Sequence, residues 1–295
     1  MTTTATATCS LAESHEWCKS LAKDRAGNFY VSFLALPRDR FRDMCALYGF
    51  MRVCDDIGDD PAVPCAQRSR RLADWREQVA LALEGERIEH PALPALCETV
   101  HRCGIPQQYL FDVIDGVQAD LHPRQFRTFQ ELSDYCYQVA GAVGLCCIHI
   151  WGFHNPRAAE SAIDCGLAFQ LTNILRDLGE DALMDRMYLP QEDLERFGYT
   201  RDDIAQHRRD ERFERLMRFE VERAREYYSR AQRLLEYLDP PGRAILSAMM
   251  DIYGGLLSKI ERRRYDVFTA RIRLPRWQKL MFVGKAVLWH RWLRR

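Results

Sequence analysis

The chain has 295 residues, with 42 basic and 42 acidic side chains, 47% hydrophobic content and 11% aromatic content. That composition supports a globular protein with a sizeable core, long enough for one large domain or two small ones. A net charge of zero excludes an overall electrostatic bias toward nucleic acid, so any charge preference must be local.

The eleven cysteines run from Cys9 to Cys165 at irregular spacing, with no Cys-x-x-Cys pair. That usage points to reduced, buried thiols in a cytosolic protein rather than disulfides or zinc sites. The threonine-rich start lacks the basic and apolar regions of a signal peptide, so residues 1–12 are expected to be a flexible tail. No uncharged apolar run is long enough to suggest a membrane-spanning helix.

From about residue 11 the apolar residues recur every three or four positions, and breaks fall at Pro and Gly, which predicts helices almost throughout. The first long one runs from about Arg38 to Asp59 and is stopped by Asp60-Pro61. Helices are expected next at 66–84, at about 94–103 and from Pro106 to about Leu121. A long apolar helix covers 129–153, ending at Asn155-Pro156, and a further helix covers about 157–183. After a link containing Tyr188-Leu189-Pro190 come a short helix near 191–197, a charge-rich stretch at 200–212, and long helices at about 211–237 and 243–265. No composition shift marks an internal boundary, and the simplest reading is a single all-α domain over 13–270 followed by a basic segment at 271–295.

Two of these helices carry acidic ladders. In 170–181, Asn173, Asp177 and Asp181 fall on one stripe with Gln170 beside it, whereas Leu171, Ile174, Leu175 and Leu178 point elsewhere. In 51–60, Asp55 and Asp59 are one turn apart, as are Asp56 and Asp60. Adjacent carboxylates repel by roughly 1 kcal/mol at 4 Å in water and by more where solvent is excluded. Two such ladders make a divided site more plausible than two separate solvated faces. Hard oxygen donors suit Mg²⁺, which keeps several waters and shares its shell with substrate phosphates. The pattern therefore points to metal-assisted departure of pyrophosphate from an allylic diphosphate in an apolar cavity.

Taken together, Asp55-Asp-Ile-Gly-Asp59, Tyr135-Cys-Tyr-Gln-Val-Ala-Gly141-Ala-Val-Gly144 and Gln170-Leu-Thr-Asn173-Ile-Leu-Arg-Asp177-Leu-Gly-Glu-Asp181 resemble the squalene and phytoene synthase family. So do Arg186-Met-Tyr188-Leu-Pro190, Ile252-Tyr253 and Arg262-Arg-Arg-Tyr265-Asp-Val-Phe. The resemblance covers roughly residues 25–275. It implies an all-α isoprenoid synthase bundle with a central apolar cavity, and head-to-head joining of two prenyl diphosphates through a cyclopropylcarbinyl diphosphate. By motif position it implies that Asp55, Asp59, Asn173, Asp177 and Asp181 hold two or three Mg²⁺ ions. Gln170 and Arg52 would contact ligand or diphosphate, and Tyr48, Tyr188, Tyr135 and Tyr253 would line the site. Where relatives have a Ser-x-Ser-Phe-like stretch, this chain has Arg25-Ala-Gly-Asn28-Phe-Tyr. Asn28 still offers a hydrogen bond there. Gly141 and Gly144, with Ala140 and Ala142, leave one helix side nearly bare, which serves either close helix packing or room for an isoprenoid tail.

The product expected first is presqualene diphosphate from two farnesyl diphosphates, with continuation to squalene or dehydrosqualene left open. The alternatives are phytoene synthesis from geranylgeranyl diphosphate and, from another class, a non-catalytic prenyl-binding scaffold among terpenoid-pathway enzymes. NADPH use is left open, since the absence of a Gly-x-Gly-x-x-Gly fingerprint decides nothing in this family. After Asp266 the chain has eight Lys or Arg and no acid, with Trp277, Leu280, Met281, Leu288 and Trp292 at helical spacing. A cytoplasmic protein touching the inner face of an anionic membrane through 271–295 is the expectation.

Overall fold

The computed structural model describes residues 9–122 and 124–292, without the side chains of 28, 29, 276, 287 and 289–292. The secondary structure of the described residues is helical: α1 Leu11–Arg25, α2 Asn28–Phe33, α3 Arg38–Gly58, α4 Cys65–Leu83, α5 Leu93–Cys103, α6 Gln107–Asp120, α7 Phe129–Cys136, α8 Ala142–Trp151, α9 Ala158–Leu183, α10 Gln191–Arg196, α11 Arg201–Ala205, α12 Glu211–Ala231, α13 Leu234–Tyr237, α14 Pro240–Arg262 and α15 Arg276–Trp292, joined by turns and loops. No strand is formed among them beyond two isolated bridges.

Local chemistry sets the helix ends. Ser10 and Glu13 cap α1 reciprocally, so the helix starts at Leu11, where the periodicity begins, and residues 1–8 lie outside the described part. Asp210 accepts from the backbone of Arg212 and Phe213 at the start of α12, at 3.0 and 3.1 Å. Pro240 and Pro241 occupy the first turn of α14, where a missing N–H costs nothing, so α14 begins three residues earlier than its periodicity predicts. The helix expected over 211–237 is instead divided into α12 and α13.

α9 is the central element, touched by α7, α8, α12 and α14. Its first half belongs to a core built with α1, α3, α4, α5, α6 and α8, and its second half to a core built with α7, α10, α12 and α14. The two acidic ladders thus sit on helices from different cores.

The helix expected over 129–153 runs unbroken from Phe129 to Trp151 but is not α-helical throughout. Tyr137–Gly141 forms a π-helical turn between α7 and α8. Glycines on two neighbours let their backbones press against this turn. A Cβ at Gly166 of α9 would lie 2.6 Å from the Ala140 carbonyl oxygen, and one at Gly116 of α6 would lie 3.2 Å from the Gln138 backbone. Gly144 packs similarly, with its Cβ position 2.9 Å from the Ala162 carbonyl oxygen. The small-residue stretch is therefore used for close packing, although Ala140 and Gly144 also line the central cavity. Replacing Gly166 with alanine is expected to cost about 1–3 kcal/mol through overpacking against backbone. Urea unfolding measures it, and an unchanged midpoint would mean that the two segments separate freely.

Candidate active site

A cavity of about 400 Å³ lies between α3, α6, α8, α9 and α14. Its walls are apolar, with Met44, Val113, Val143, Leu246 and Met249 among them, and Trp151 and Leu234 close the far part. Polar groups gather at one end: Tyr48 and Asp55 from α3, Asp120 from α6, Tyr135 from α7, and Gln170 and Asn173 from α9. Asn173 donates to Gln170 at 3.4 Å and also hydrogen-bonds Tyr253, whose ring stacks on Phe169 with centroids 4.4 Å apart.

Six of the residues singled out in the sequence thus line one cavity: Tyr48, Asp55, Tyr135, Gln170, Asn173 and Tyr253. Arg52, Asp59, Asp177, Asp181 and Tyr188 lie around its polar end. Tyr188 stacks on Tyr135 with centroids 5.5 Å apart. Asp59 faces Arg186 at 3.7 Å. Asp177 is gripped by Arg176, at 2.8 and 2.5 Å, and by Arg271, at 3.1 Å. Arg52 pairs with Asp56 one turn along α3, and its buried Nε has no hydrogen-bond partner. The Asn28 side chain lies outside the described residues. Its backbone opens α2 just after Gly27, whose φ of +52° turns the chain there.

The carboxylates strain against one another. Burial pushes the Asp55 carboxyl up to about 6; Arg52 opposes this and Asp59 adds to it. Asp181 is pushed up to about 7, first by burial and then by Asp177. Asp120 also rises to about 6 through burial, although Tyr135 donates to it at 2.9 Å. Burial likewise raises the phenols, with Tyr188 and Tyr253 each at about 12, so both are protonated at neutral pH. Among the described residues, no three His, Cys, Asp or Glu side chains converge closely enough to enclose a metal ion by themselves.

Four features escaped the sequence reading. Asp120 repels both Asp55 and Asp181 and so joins the two ladders electrostatically. It stands alone at the end of an apolar helix, without a ladder to flag it. Arg271 reaches Asp177 from 94 residues away, and it also holds Glu180 at 3.2 Å. Arg176 sits inside a quoted motif, yet one charged residue next to another carries no spacing signal. Finally, Arg68, Arg124 and Arg186 form a basic shelf with His122 and Tyr188 beside Asp120, around a second hollow of about 160 Å³. The buried Nε of Arg68 is also unpartnered.

The squalene/phytoene synthase family profile matches residues 22–278. The chain belongs to the squalene/phytoene synthase family. It is accordingly a prenyltransferase-type enzyme of the head-to-head condensing class, with the all-α isoprenoid synthase fold. Among its relatives, the phytoene synthase of Arthrospira platensis is 36% identical over 94% of this chain and 93% of its own length. The 15-cis-phytoene synthase of Synechococcus elongatus is 34% identical over 96% and 95%. Of the solved structures, a dehydrosqualene synthase in complex with ligand superposes with a TM-score of 0.87 at 26% identity, covering 95% of this chain and 98% of its own. The squalene synthase of Alicyclobacillus acidocaldarius gives 0.81 at 29% identity, covering 86% and 95%.

Proposed function

We propose that this family member joins two molecules of geranylgeranyl diphosphate head to head to give phytoene, by way of a cyclopropylcarbinyl diphosphate. The observation that carries the chain length is the 34–36% identity, over more than nine-tenths of the chain, to phytoene synthases. It favours the C20 substrate over the farnesyl diphosphate that the sequence reading put first. The squalene-type structural relatives keep the C15 substrate as the second reading.

The cavity supports the chemistry in three ways. Its apolar walls accept two isoprenoid tails and exclude water from an allylic cation. Its polar end gathers oxygen donors, while arginines surround it, and the unpartnered Nε atoms of Arg52 and Arg68 are suited to an anionic ligand such as a diphosphate. Its aromatic lining, which includes the stacked pair Phe169 and Tyr253, is suited to stabilising positive charge.

The donor set fits Mg²⁺, because the carboxyls raised by burial and mutual repulsion lack a countercharge that a divalent cation provides. Asp55, Asp59, Asn173, Asp177 and Asp181 would hold it, with the remaining coordination left to diphosphate and water. When bound, the metal supplies charge stabilisation for the departing pyrophosphate. Arg52, Arg186 and Arg271 hold diphosphate oxygens. Tyr135 donates to Asp120 and keeps that carboxylate oriented, and Tyr188 braces Tyr135 from the other face. As protonated phenols, Tyr188 and Tyr253 donate hydrogen bonds and do not act as resting bases.

Conversion of two prenyl diphosphates to phytoene releases two pyrophosphates and two protons and consumes no reductant. With Mg²⁺ present, purified protein is therefore expected to form a C40 hydrocarbon from geranylgeranyl diphosphate equally well with and without NADPH. The kcat/KM for the C20 substrate is expected to exceed that for farnesyl diphosphate by about tenfold or more, since each apolar methylene seated in a pocket contributes ~1–3 kcal/mol. Mass spectrometry of the extracted products decides. Squalene made from farnesyl diphosphate only when NADPH is added would replace this reading with the second one.

A further inference from the structure

The last helix presents two apolar faces, of which the fold uses one. Val283 and Ala286 of α15 are buried with Ala248 of α14, against Val31 and Ala35 of the α2 region. Phe282 packs near Gly255 and the second core. On the opposite side Trp277, Leu280, Met281 and Leu288 are 66%, 56%, 52% and 70% exposed. At 100° per residue these four fall within an arc of about 100° centred away from Val283 and Ala286. Four large apolar side chains aligned in water form a docking face, not scattered exposure. Trp292 lies outside the described side chains.

The charges say what docks there. The whole chain is neutral, yet the segment after Asp266 has eight Lys or Arg and no acid. Among the described residues, Lys285 pairs with Asp251 at 3.2 Å and Arg271 with Asp177 and Glu180. A second copy of the chain would bring two basic segments face to face. An acidic, apolar-cored surface satisfies the stripe and its charge together, and an anionic bilayer interface is such a surface. A Trp at the start of the stripe suits the headgroup boundary, where its ring is apolar and its N–H stays hydrated. No described helix is long and apolar enough to cross a membrane.

We propose that α15 lies on an anionic lipid surface through Trp277, Leu280, Met281 and Leu288, with its Val283–Ala286 face fixed to the body of the enzyme. α14 then stands between lipid and active site, since it lines the cavity with Leu246, Met249 and Tyr253 and carries α15 on its other side. The catalytic chamber is held one helix away from the bilayer. This assignment is independent of which prenyl chain length the cavity accepts.

The test is flotation of the full-length protein with vesicles of phosphatidylcholine alone or mixed with phosphatidylglycerol. Wild type is expected to float with the anionic vesicles, to lose about tenfold in binding at high salt, and to show a Trp emission blue shift on binding. The double variant Trp277→Ser/Leu288→Ser is expected to bind about tenfold or more weakly through loss of two buried apolar groups, with turnover in detergent micelles unchanged. Leu280→Gln/Met281→Gln tests the same face without touching Trp277, should the first variant fold poorly. Undiminished flotation of both variants, or no wild-type binding to anionic vesicles, overturns the proposal. So does a wild-type dimer in light scattering that either double variant converts to monomer, because a second copy would then occupy the face.

Discussion

Replacing Asp181 with asparagine is expected to lower turnover by roughly a hundredfold or more, the magnitude associated with losing one preorganised electrostatic contact to a developing anion. The same substitution is expected to stabilise the metal-free protein at alkaline pH. Asp181 is held at about 7 in the fold by burial and by Asp177. A carboxyl raised above its ordinary value contributes stability that is present in acid and is lost as pH climbs through the folded value, so near pH 8 the native state carries an unfavourable buried charge. Asparagine removes it. The gain is expected to be of order 1 kcal/mol, because the site opens to solvent and screening reduces the effect. The difference should shrink as pH falls below about 7 and vanish only below about pH 4, the ordinary aspartate value. Asp177→Asn should lose comparable activity without that gain, since Arg176 and Arg271 already balance its charge. Thermal melts in chelator across pH 5–8, set beside turnover with excess Mg²⁺, check both parts. An Asp181→Asn enzyme with unaltered turnover would remove the ladder from the catalytic assignment.

Asp55, Asp59, Asn173, Asp177 and Asp181 were legible because a repeat of about four residues on a helix is a one-dimensional signal of a shared face. The same periodicity, broken by Pro and Gly, was enough for an all-α bundle. It could not reveal the π turn at 137–141, since that depends on how closely Gly116 and Gly166 let two other helices approach. Asp120, Arg68 and Arg271 were invisible for a related reason. Each is a single charge whose neighbours come from distant parts of the chain, so its meaning exists only after folding. Chain length was hidden more deeply, because the cavity's far end is assembled from Trp151, Leu234, Leu246 and Met249 on three helices. There the C20 proposal rests on the likeness to phytoene synthases and not on spacing.

Arg223→Met is expected to cost about 3–5 kcal/mol of stability, the usual consequence of leaving a buried charge without its partner. Arg223 of α12 donates to Asp193 at 2.7 and 3.2 Å and to Glu220 at 3.0 and 2.9 Å, and its guanidinium lies 4.0 Å from the Phe129 ring centre. Asp193 and Glu220 are only 5% and 2% exposed, so neither can turn to water when the arginine goes. Methionine keeps the contact with the aromatic rings and isolates the charge effect. Burial already raises the Glu220 carboxyl above its ordinary value despite Arg223, and removing that cation raises it further. A raised carboxyl is tolerated when protonated, so the deficit of the variant should be smallest near pH 5 and grow toward pH 8. Adding Glu220→Gln should restore part of the loss at pH 8 and little at pH 5. The site should feel the same change: Asp193 sits on α10, three residues after Pro190, in the segment that carries Tyr188 against Tyr135. That segment is also tied to the start of α7 by Glu192, which accepts from the Phe129 backbone at 2.6 Å. Loosening α10 is therefore expected to lower turnover in the folded variant as well. Urea titrations at several pH values measure the first effect, and a variant equally destabilised at pH 5 and pH 8 would show that Arg223 acts by packing and not by charge.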